Sequence, residues 1–287
     1  SIESSLGSTH TIKQIVVAPW VDLIVSTYAG RVPVVSVRNQ GVIQPNVIVC
    51  RKLVDKLRGE TYRNTLFALS LAPASTIAIN SLKGIFMCLE RPIVFAELWR
   101  LQEEHSADVF PVIPLEIFSH SNAMQMTSVQ LPMVAKIGNA EAGRGKMLMK
   151  TPAIYDDFRS VVALHSDFVT LEKFLEEREY DLRIQKIGSH YRAYKRVSVS
   201  GNWKTNQGSS MLEEIKPVPK RYERWAVLAG TMFGGLDILT VDAIHMKDGS
   251  EYIIEINDCA SGFATSNEKE DILHVCELIG LKVDAKK

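Results

Sequence analysis

The stretch Pro132-Met-Val-Ala-Lys-Ile-Gly-Asn-Ala-Glu-Ala-Gly-Arg-Gly-Lys146 decides the reading of this 287-residue chain. Residues 133–137 are a short apolar run broken by Lys136, the pattern of a strand end that aims its charge into a cleft. Gly138, Gly143 and Gly145 then remove side chains where backbone N–H groups must approach a polyanion, and Lys146 follows with a further cation. No Lys-Ser or Lys-Thr closes the segment, so the spacing is wrong for a Walker A loop. No helix opens on three glycines either, so it is wrong for a dinucleotide fingerprint. Taken alone, the segment also fits a surface hairpin that happens to hold glycine and basic residues.

Three further segments bear on it. Residues 240–244 and 252–257 read as two strands around a Lys247-Asp248-Gly249 turn. A period of two places Glu255 and Asn257 on one face, and closure of the hairpin brings Asp242 opposite them. Neighbouring carboxylates on the inner face of a sheet are unfavourable unless a cation joins them. Hard oxygen ligands suit magnesium or calcium bridging phosphates, not zinc. Solvated residues on an exposed sheet face are the alternative. Residues 180–199 read as two strands around Gly188-Ser189, with Asp181, Arg183 and Gln185 on one face. The polar loop 200–208 follows, with Lys204 and Asn206 in position to cover phosphates. Arg183, Lys186, Lys195, Arg196 and Lys204 make this segment cationic in a chain of 33 basic and 33 acidic residues, so the excess is local. It fits a nucleoside triphosphate with metal better than nucleic acid, and a solvated basic strand face is the alternative. Residues 169–175 form an apolar strand that breaks into a charged run, where a hinge would offer main-chain groups to an adenine edge. An amphipathic element with a surface turn fits there too.

From about Ser26 to Gly280 the chain resembles the central C domain of the synapsins, which has the ATP-grasp fold. The resemblance is carried by Tyr62-Arg-Asn64, Ile79-Asn-Ser-Leu82, Arg91-Pro-Ile-Val-Phe95, the Lys136 loop, residues 180–212 with Gly201-Asn-Trp-Lys204 inside them, Gly234-Gly-Leu-Asp237 and Tyr252-Ile-Ile-Glu255. It implies an α/β ATP-grasp fold with an N-terminal open α/β (pre-ATP-grasp) lobe at 1–90. A nucleotide-binding region at 91–287 follows, built of two α+β lobes with a hinge near 172–181. It also implies an ATP-binding regulatory domain on the cytoplasmic face of synaptic vesicles, acting in vesicle clustering and neurotransmitter release. The implied partners are a second copy in a homodimer, vesicle or phospholipid surfaces and cytoskeletal proteins, and not nucleic acid.

Carried over by position, Arg91 stands where synapsins have a lysine contacting the phosphates. Lys136 matches the lysine beside the α-phosphate, and 138–146, with Gly138, Gly143, Gly145 and Lys146, match the flap. Glu172, Lys173, Phe174 and Leu175 match the adenine hinge, while Asp181, Lys186 and Lys204 match the surroundings of the triphosphate. Glu255 matches the metal-binding glutamate, for Mg²⁺ or Ca²⁺. Two positions depart from the family. Asp242 replaces the usual lysine and follows the metal-ligating aspartate of catalytic ATP-grasp enzymes, and Asn257 follows their Glu-x-Asn string. Asp242, Glu255 and Asn257 together therefore keep open an active carboxylate–amine ligase working through an acyl phosphate, with Arg196 and Asn206 as the groups that would steady it. The strand–helix unit that opens the family domain is expected to be absent or shortened here.

With 46% hydrophobic residues, the chain can bury the core of a two- or three-lobed molecule. Strands are predicted at 14–18, 32–37 and 47–50. Helices are predicted at 62–71, from Pro92 toward Glu104, at 155–166 and at 268–278. Cys50, Cys88, Cys259 and Cys276 are too widely spaced for a disulfide framework or zinc knuckle and read as buried thiols. No run of 18 apolar residues and no signal-peptide pattern occurs, which predicts a soluble cytoplasmic protein with at most peripheral membrane contact.

Overall fold

The computed structural model describes residues 14–27, 33–54, 61–120, 123–124, 129–140, 144–198, 203 and 210–286. The first lobe opens with β1 (Leu23–Ser26), β2 (Val34–Val37) and β3 (Gly41–Ile43), an antiparallel sheet in that order. Next come β4 (Val47–Val49) and β5 (Ile77–Ile79), paired in parallel across α1 (Arg63–Ser70). The apolar run 14–18 makes no strand. Pro19 and a short helical turn at Trp20–Asp22 precede β1 instead, with the Trp20 indole N–H donating to the Lys52 carbonyl at 3.0 Å and Val17 left 79% exposed.

Two helices lead into the rest of the molecule, α2 (Leu82–Cys88) and α3 (Arg91–His105). Ser81 caps the first by accepting a hydrogen bond from the Gly84 N–H, and Pro92 sits in the first turn of the second, where its missing N–H costs nothing. A four-stranded antiparallel sheet follows, of β6 (Leu115–Phe118), β7 (Met133–Ile137), β8 (Lys146–Met149) and β9 (Val169–Lys173) in the order β6-β9-β7-β8. Helix α4 (Pro152–Val162) covers it, burying Tyr155, Phe158 and Val162 one turn apart against Met133, Ala135, Met149 and Leu171.

The largest sheet contains β10 (Arg178–Ile187), β11 (His190–Ser198), β12 (Ser210–Glu214), β13 (Ile238–Met246) and β14 (Glu251–Asn257), ordered β12-β11-β10-β13-β14. Its back carries Leu182, Ile184, Val241 and Ala243, packed against Tyr222, Trp225 and Ala226 of α5 (Lys220–Ala229) and against Phe95 and Leu98 of α3. Sequence reasoning passed over α5. The closing helix α6 (Glu268–Asp284) runs six residues beyond its expected end and buries Asp271, Val275, Cys276 and Leu278. Its Val275 and Leu278 join the core of the first lobe, so the two ends of the chain share one apolar interior. Asn80 locks that union: its buried amide donates to the Ile238 carbonyl at 2.7 Å and accepts from the Ile238 N–H at 2.8 Å. Cys50, Cys259 and Cys276 are buried free thiols, with Cys88 partly covered. Among the described residues no helix is long and apolar enough to cross a membrane.

Candidate functional site

The four- and five-stranded sheets meet at the short connection 174–177 and enclose a cleft of about 870 Å³, counting its open mouth. Val134, Phe174, Leu175, Ile244 and Ile254 supply apolar walls, while Lys136, Lys146, Glu172, Asp181, Arg183, Arg196, Asp242 and Glu255 supply the charge.

The lysine hairpin forms one wall. β7 and β8 pair so that Lys136 lies directly opposite Lys146. Gly138 and Gly145 close the turn at φ of +55° and +66°, a left-handed conformation in which a Cβ is strained. Two ammonium groups on one rung repel, and this rung is therefore a place that an anion would stabilise. The Lys136 ammonium is only 4% exposed and contacts the Glu172 carboxylate. Burial pulls it down to about 8, with Glu172 acting in the opposite direction.

The opposite wall mirrors this arrangement with negative charge. Asp242 on β13 lies directly across from Glu255 on β14, and a bulge beside that rung inserts Ile254 without a partner. Burial pushes the Asp242 carboxyl above its ordinary range, and Glu255 adds to the shift against Arg183. Asp242 Oδ1 is buried with no hydrogen-bond partner among the described residues, and Arg183 Nη1 lies 3.5 Å from it. Asn257 donates from Nδ2 to Asp242 Oδ2 at 2.9 Å, which leaves its amide oxygen as the ligand atom. Glu255 is held below the usual carboxylate range: burial would raise it, but Arg91, Lys146 and Lys136 together outweigh that.

Arg91 bridges the walls from the first turn of α3. Its guanidinium lies 3.2 Å from Glu255 Oε1 and 3.9 Å from Glu172 Oε1, and it also donates to the Asn139 carbonyl at 3.3 Å. Arg91 and Lys136 thus hold carboxylates where a phosphate could stand, and Glu172, Glu255 and Asp242 face cations where a metal could stand. The donor set fits a hard divalent ion, since Asp242 and Glu255 share a rung, the Asn257 amide contacts Asp242, and one Asp242 oxygen is buried without a hydrogen bond among the described residues.

The remaining expected residues divide. Asp181 and Arg196 form one rung of the β10–β11 ladder on the cleft face. Lys173 stands exposed at the end of β9, and the Phe174 N–H is spent on the Pro132 carbonyl at 3.1 Å. Glu172 belongs to the charge cluster instead of an adenine edge, because it sits within β9 with its carboxylate on Lys136. Lys186 is not brought to the cleft. It is out of phase with Asp181 and Arg183, so it emerges on the back of the sheet and donates to the Leu236 and Asp237 carbonyls at 3.2 and 3.4 Å. Gly143, Lys204 and Asn206 lie outside the described residues. Arg183 and Arg178 were left out of the expected site although both line the cleft. The period-two face shared with Asp181 was signal enough to include Arg183. Trp203 was left out as well. It accepts from Arg178 through its carbonyl at 2.6 Å and meets the Phe174 ring edge-on at 6.2 Å.

Comparison with known proteins follows this geometry. The family described as synapsin, ATP binding domain, matches residues 80–285. The synapsin of Drosophila melanogaster is 31% identical over 223 residues, covering 76% of this chain and 21% of that protein, so the chain spans about a fifth of the length of that relative. Among solved structures, the ATP-grasp ligase PsnB complexed with a minimal precursor aligns over 100% of this chain and 94% of its own, with TM-score 0.63 and 17% identity. A RiPP-associated ATP-grasp ligase of Chryseobacterium gregarium, solved with ADP and a leader and core peptide, covers 91% of this chain and 84% of its own, with TM-score 0.62 and 13% identity. The macrocyclase MdnC bound to precursor peptide MdnA, from Microcystis aeruginosa MRC, gives 0.60 and 13% over 90% of this chain and 86% of its own. The fold is therefore the α/β ATP-grasp fold, with a first lobe that resembles a pre-ATP-grasp lobe.

These matches correct the expectation of a vesicle-associated regulator of neurotransmitter release. The structures named above, which align over nine-tenths or more of the chain, are two ATP-grasp ligases and a macrocyclase, and the synapsin relative shares only a fifth of its own length. The expected vesicle, phospholipid and cytoskeletal partners fall with it, since the structures that share the fold were solved with precursor peptides. Fold-level similarity and the family match answer different questions, and the second is settled by sequence: the chain belongs to the synapsin ATP-binding domain family.

Proposed function

We propose that this chain is an ATP-dependent carboxylate–amine ligase that binds ATP with Mg²⁺ in the cleft between its two sheets. The observation that carries the reading is the pair of like-charged rungs, Lys136/Lys146 and Asp242/Glu255, lining one cleft. A metal-bound triphosphate is the ligand that relieves both at once. Lys136, Lys146 and Arg91 would take phosphate oxygens in exchange for Glu172 and Glu255. Asp242, Glu255 and Asn257 would hold the ion, which supplies charge neutralisation at the β- and γ-phosphates when bound. The base would rest among Val134, Phe174, Leu175 and Ile244. Three side-chain ligands completed by phosphate oxygens suit Mg²⁺, which is bound through few carboxylates, better than Ca²⁺, which takes six to eight oxygens.

Arg183 and Arg196 stand beside the carboxylate rung and would orient the substrate carboxylate. A carboxylate oxygen attacks the γ-phosphorus, forming one O–P bond while the bond to the β-phosphate oxygen breaks and ADP departs. The amine then attacks the acyl carbon, a C–N bond forms, inorganic phosphate leaves and the surplus amine proton passes to solvent. The precursor peptides in the neighbouring structures support peptides as the first substrates to try, and the proposed acyl phosphate calls for ones that carry a carboxylate side chain. The test is ADP and phosphate release across a panel of amino acids and acidic peptides paired with amines. Release that needs both substrates, with Mg²⁺ outperforming Ca²⁺, is the expected result. ATP binding without phosphate release anywhere in the panel would overturn the reading.

A further inference from the structure

About 13 Å along β10 from Arg183 at the cleft, by the rise of four strand residues, a second cluster of ligating side chains stands where β11 begins. Among the described residues, His190, His274 and Glu277 are the one group of three His, Cys, Asp or Glu side chains whose ligand atoms all lie within 4.8 Å of one another. His190 enters from the β10–β11 turn, while His274 and Glu277 share a face of α6, three residues apart. His190 Nε2 is 2.8 Å and His274 Nδ1 is 3.8 Å from the same oxygen, Glu277 Oε2. A tetrahedral zinc at about 2.1 Å from each ligand spaces its ligand atoms about 3.4 Å apart, a value these two distances bracket.

We propose that His190, His274 and Glu277 form a site for a borderline transition-metal dication, zinc first, that clips the β10–β11 turn to the closing helix. Two imidazoles and one carboxylate are the donor set for such an ion, unlike the oxygen set of the cleft. A supporting group is in place. The other nitrogen of His274, Nε2, lies 3.8 Å from Glu270, and Arg192 anchors that carboxylate at 2.6 Å. A metal-bound histidine characteristically gives its remaining N–H to such a carboxylate. The two rings lie face to face with centroids 3.6 Å apart, so the His190 ring, carried on the turn, swings out of the stack for both lone pairs to meet one ion; a cavity of about 230 Å³ open to solvent borders them and provides the entry path. Because α6 also contributes Val275 and Leu278 to the first-lobe core, an ion here joins the large sheet to that lobe.

The test is calorimetric titration of the tag-free chain with Zn²⁺, alongside absorption spectra with Co²⁺. One equivalent of zinc should bind, raise the thermal midpoint and give visible Co²⁺ d–d bands. His274→Gln and His190→Gln should abolish all three effects, and Glu270→Gln should weaken binding about tenfold. Glu255→Gln should leave them intact, which separates this site from the cleft. His190 lies outside the apolar cores, so its variant keeps the test open if His274→Gln does not fold. Zinc uptake unchanged in the histidine variants, or no uptake by the parent chain, would overturn the proposal.

Discussion

Lys136 carries its charge where water has been almost wholly removed, and that position makes its protonation the most sensitive variable at the residue scale. Its ammonium titrates at about 8 in the folded chain against 10.5 in the open. Between those values the unfolded chain holds the proton and the folded chain does not, so the fold gains stability through this residue as pH rises from about 8 toward 10.5. Phosphate binding runs the other way, because it needs the charged form. From pH 7 to pH 9 the ATP affinity of the native chain should fall about tenfold, tracking the loss of protonated Lys136. In Lys136→Arg the profile should be flat over the same range, since guanidinium stays charged. Calorimetric titration with ATP at each pH checks both, and parallel profiles would remove Lys136 from the phosphate site.

Strand pairs carry the next level of the argument. The Asp242–Glu255 rung sets two carboxylates against each other, so function is bought there against stability. The raised Asp242 carboxyl states the same cost: stability from this group is lost as pH climbs from the ordinary carboxylate range through its raised folded value. Asp242→Asn keeps the shape and removes the charge. It should stabilise the metal-free chain by about 0.5–1 kcal/mol, a rise of roughly 1–2 °C in thermal midpoint. The same substitution should remove the Mg²⁺ dependence of nucleotide binding. A fall in midpoint would show that the 3.5 Å contact with Arg183 outweighs the repulsion.

At the scale of the whole molecule, the lobes are joined by polar contacts as well as shared core. Asn80 occupies a left-handed conformation at φ +55° and satisfies both backbone groups of Ile238, 158 residues away. Removing its amide strands a buried N–H and a buried C=O at the junction of the first lobe with β13. Asn80→Ala should cost about 3 kcal/mol, from two lost hydrogen bonds and the loss of asparagine's tolerance of that left-handed φ. Asn80→Gly should cost less by the strain alone, about 1 kcal/mol. Denaturant unfolding of the two variants measures the difference, and equal losses would place the whole effect in the hydrogen bonds.

Much of the site was legible in the sequence because short-range rules build hairpins. Alternation with a period of two and a glycine turn are local properties, so Lys136 in its hairpin and Asp242 opposite Glu255 could be read from spacing alone. Applied to β10, the same rule separates Lys186 from the cleft and puts Arg183 in it, the reverse of the expected site, since the face of β10 is fixed once Asp181 is placed. The closing helix and α3 were marked by their caps and apolar positions. What spacing could not supply was which walls face each other. Lys136 meets Glu172 and Arg91 meets Glu255 across 36 and 164 residues, separations at which chain connectivity dictates nothing. The absence of a strand at 14–18, the presence of α5, the entry of α6 into the first-lobe core and the meeting of His190 with His274 depend likewise on packing between distant segments. Local sequence determined the hairpins and their chemistry, and tertiary burial decided which charges share a cleft, because only the assembled interior removes the water that would screen them.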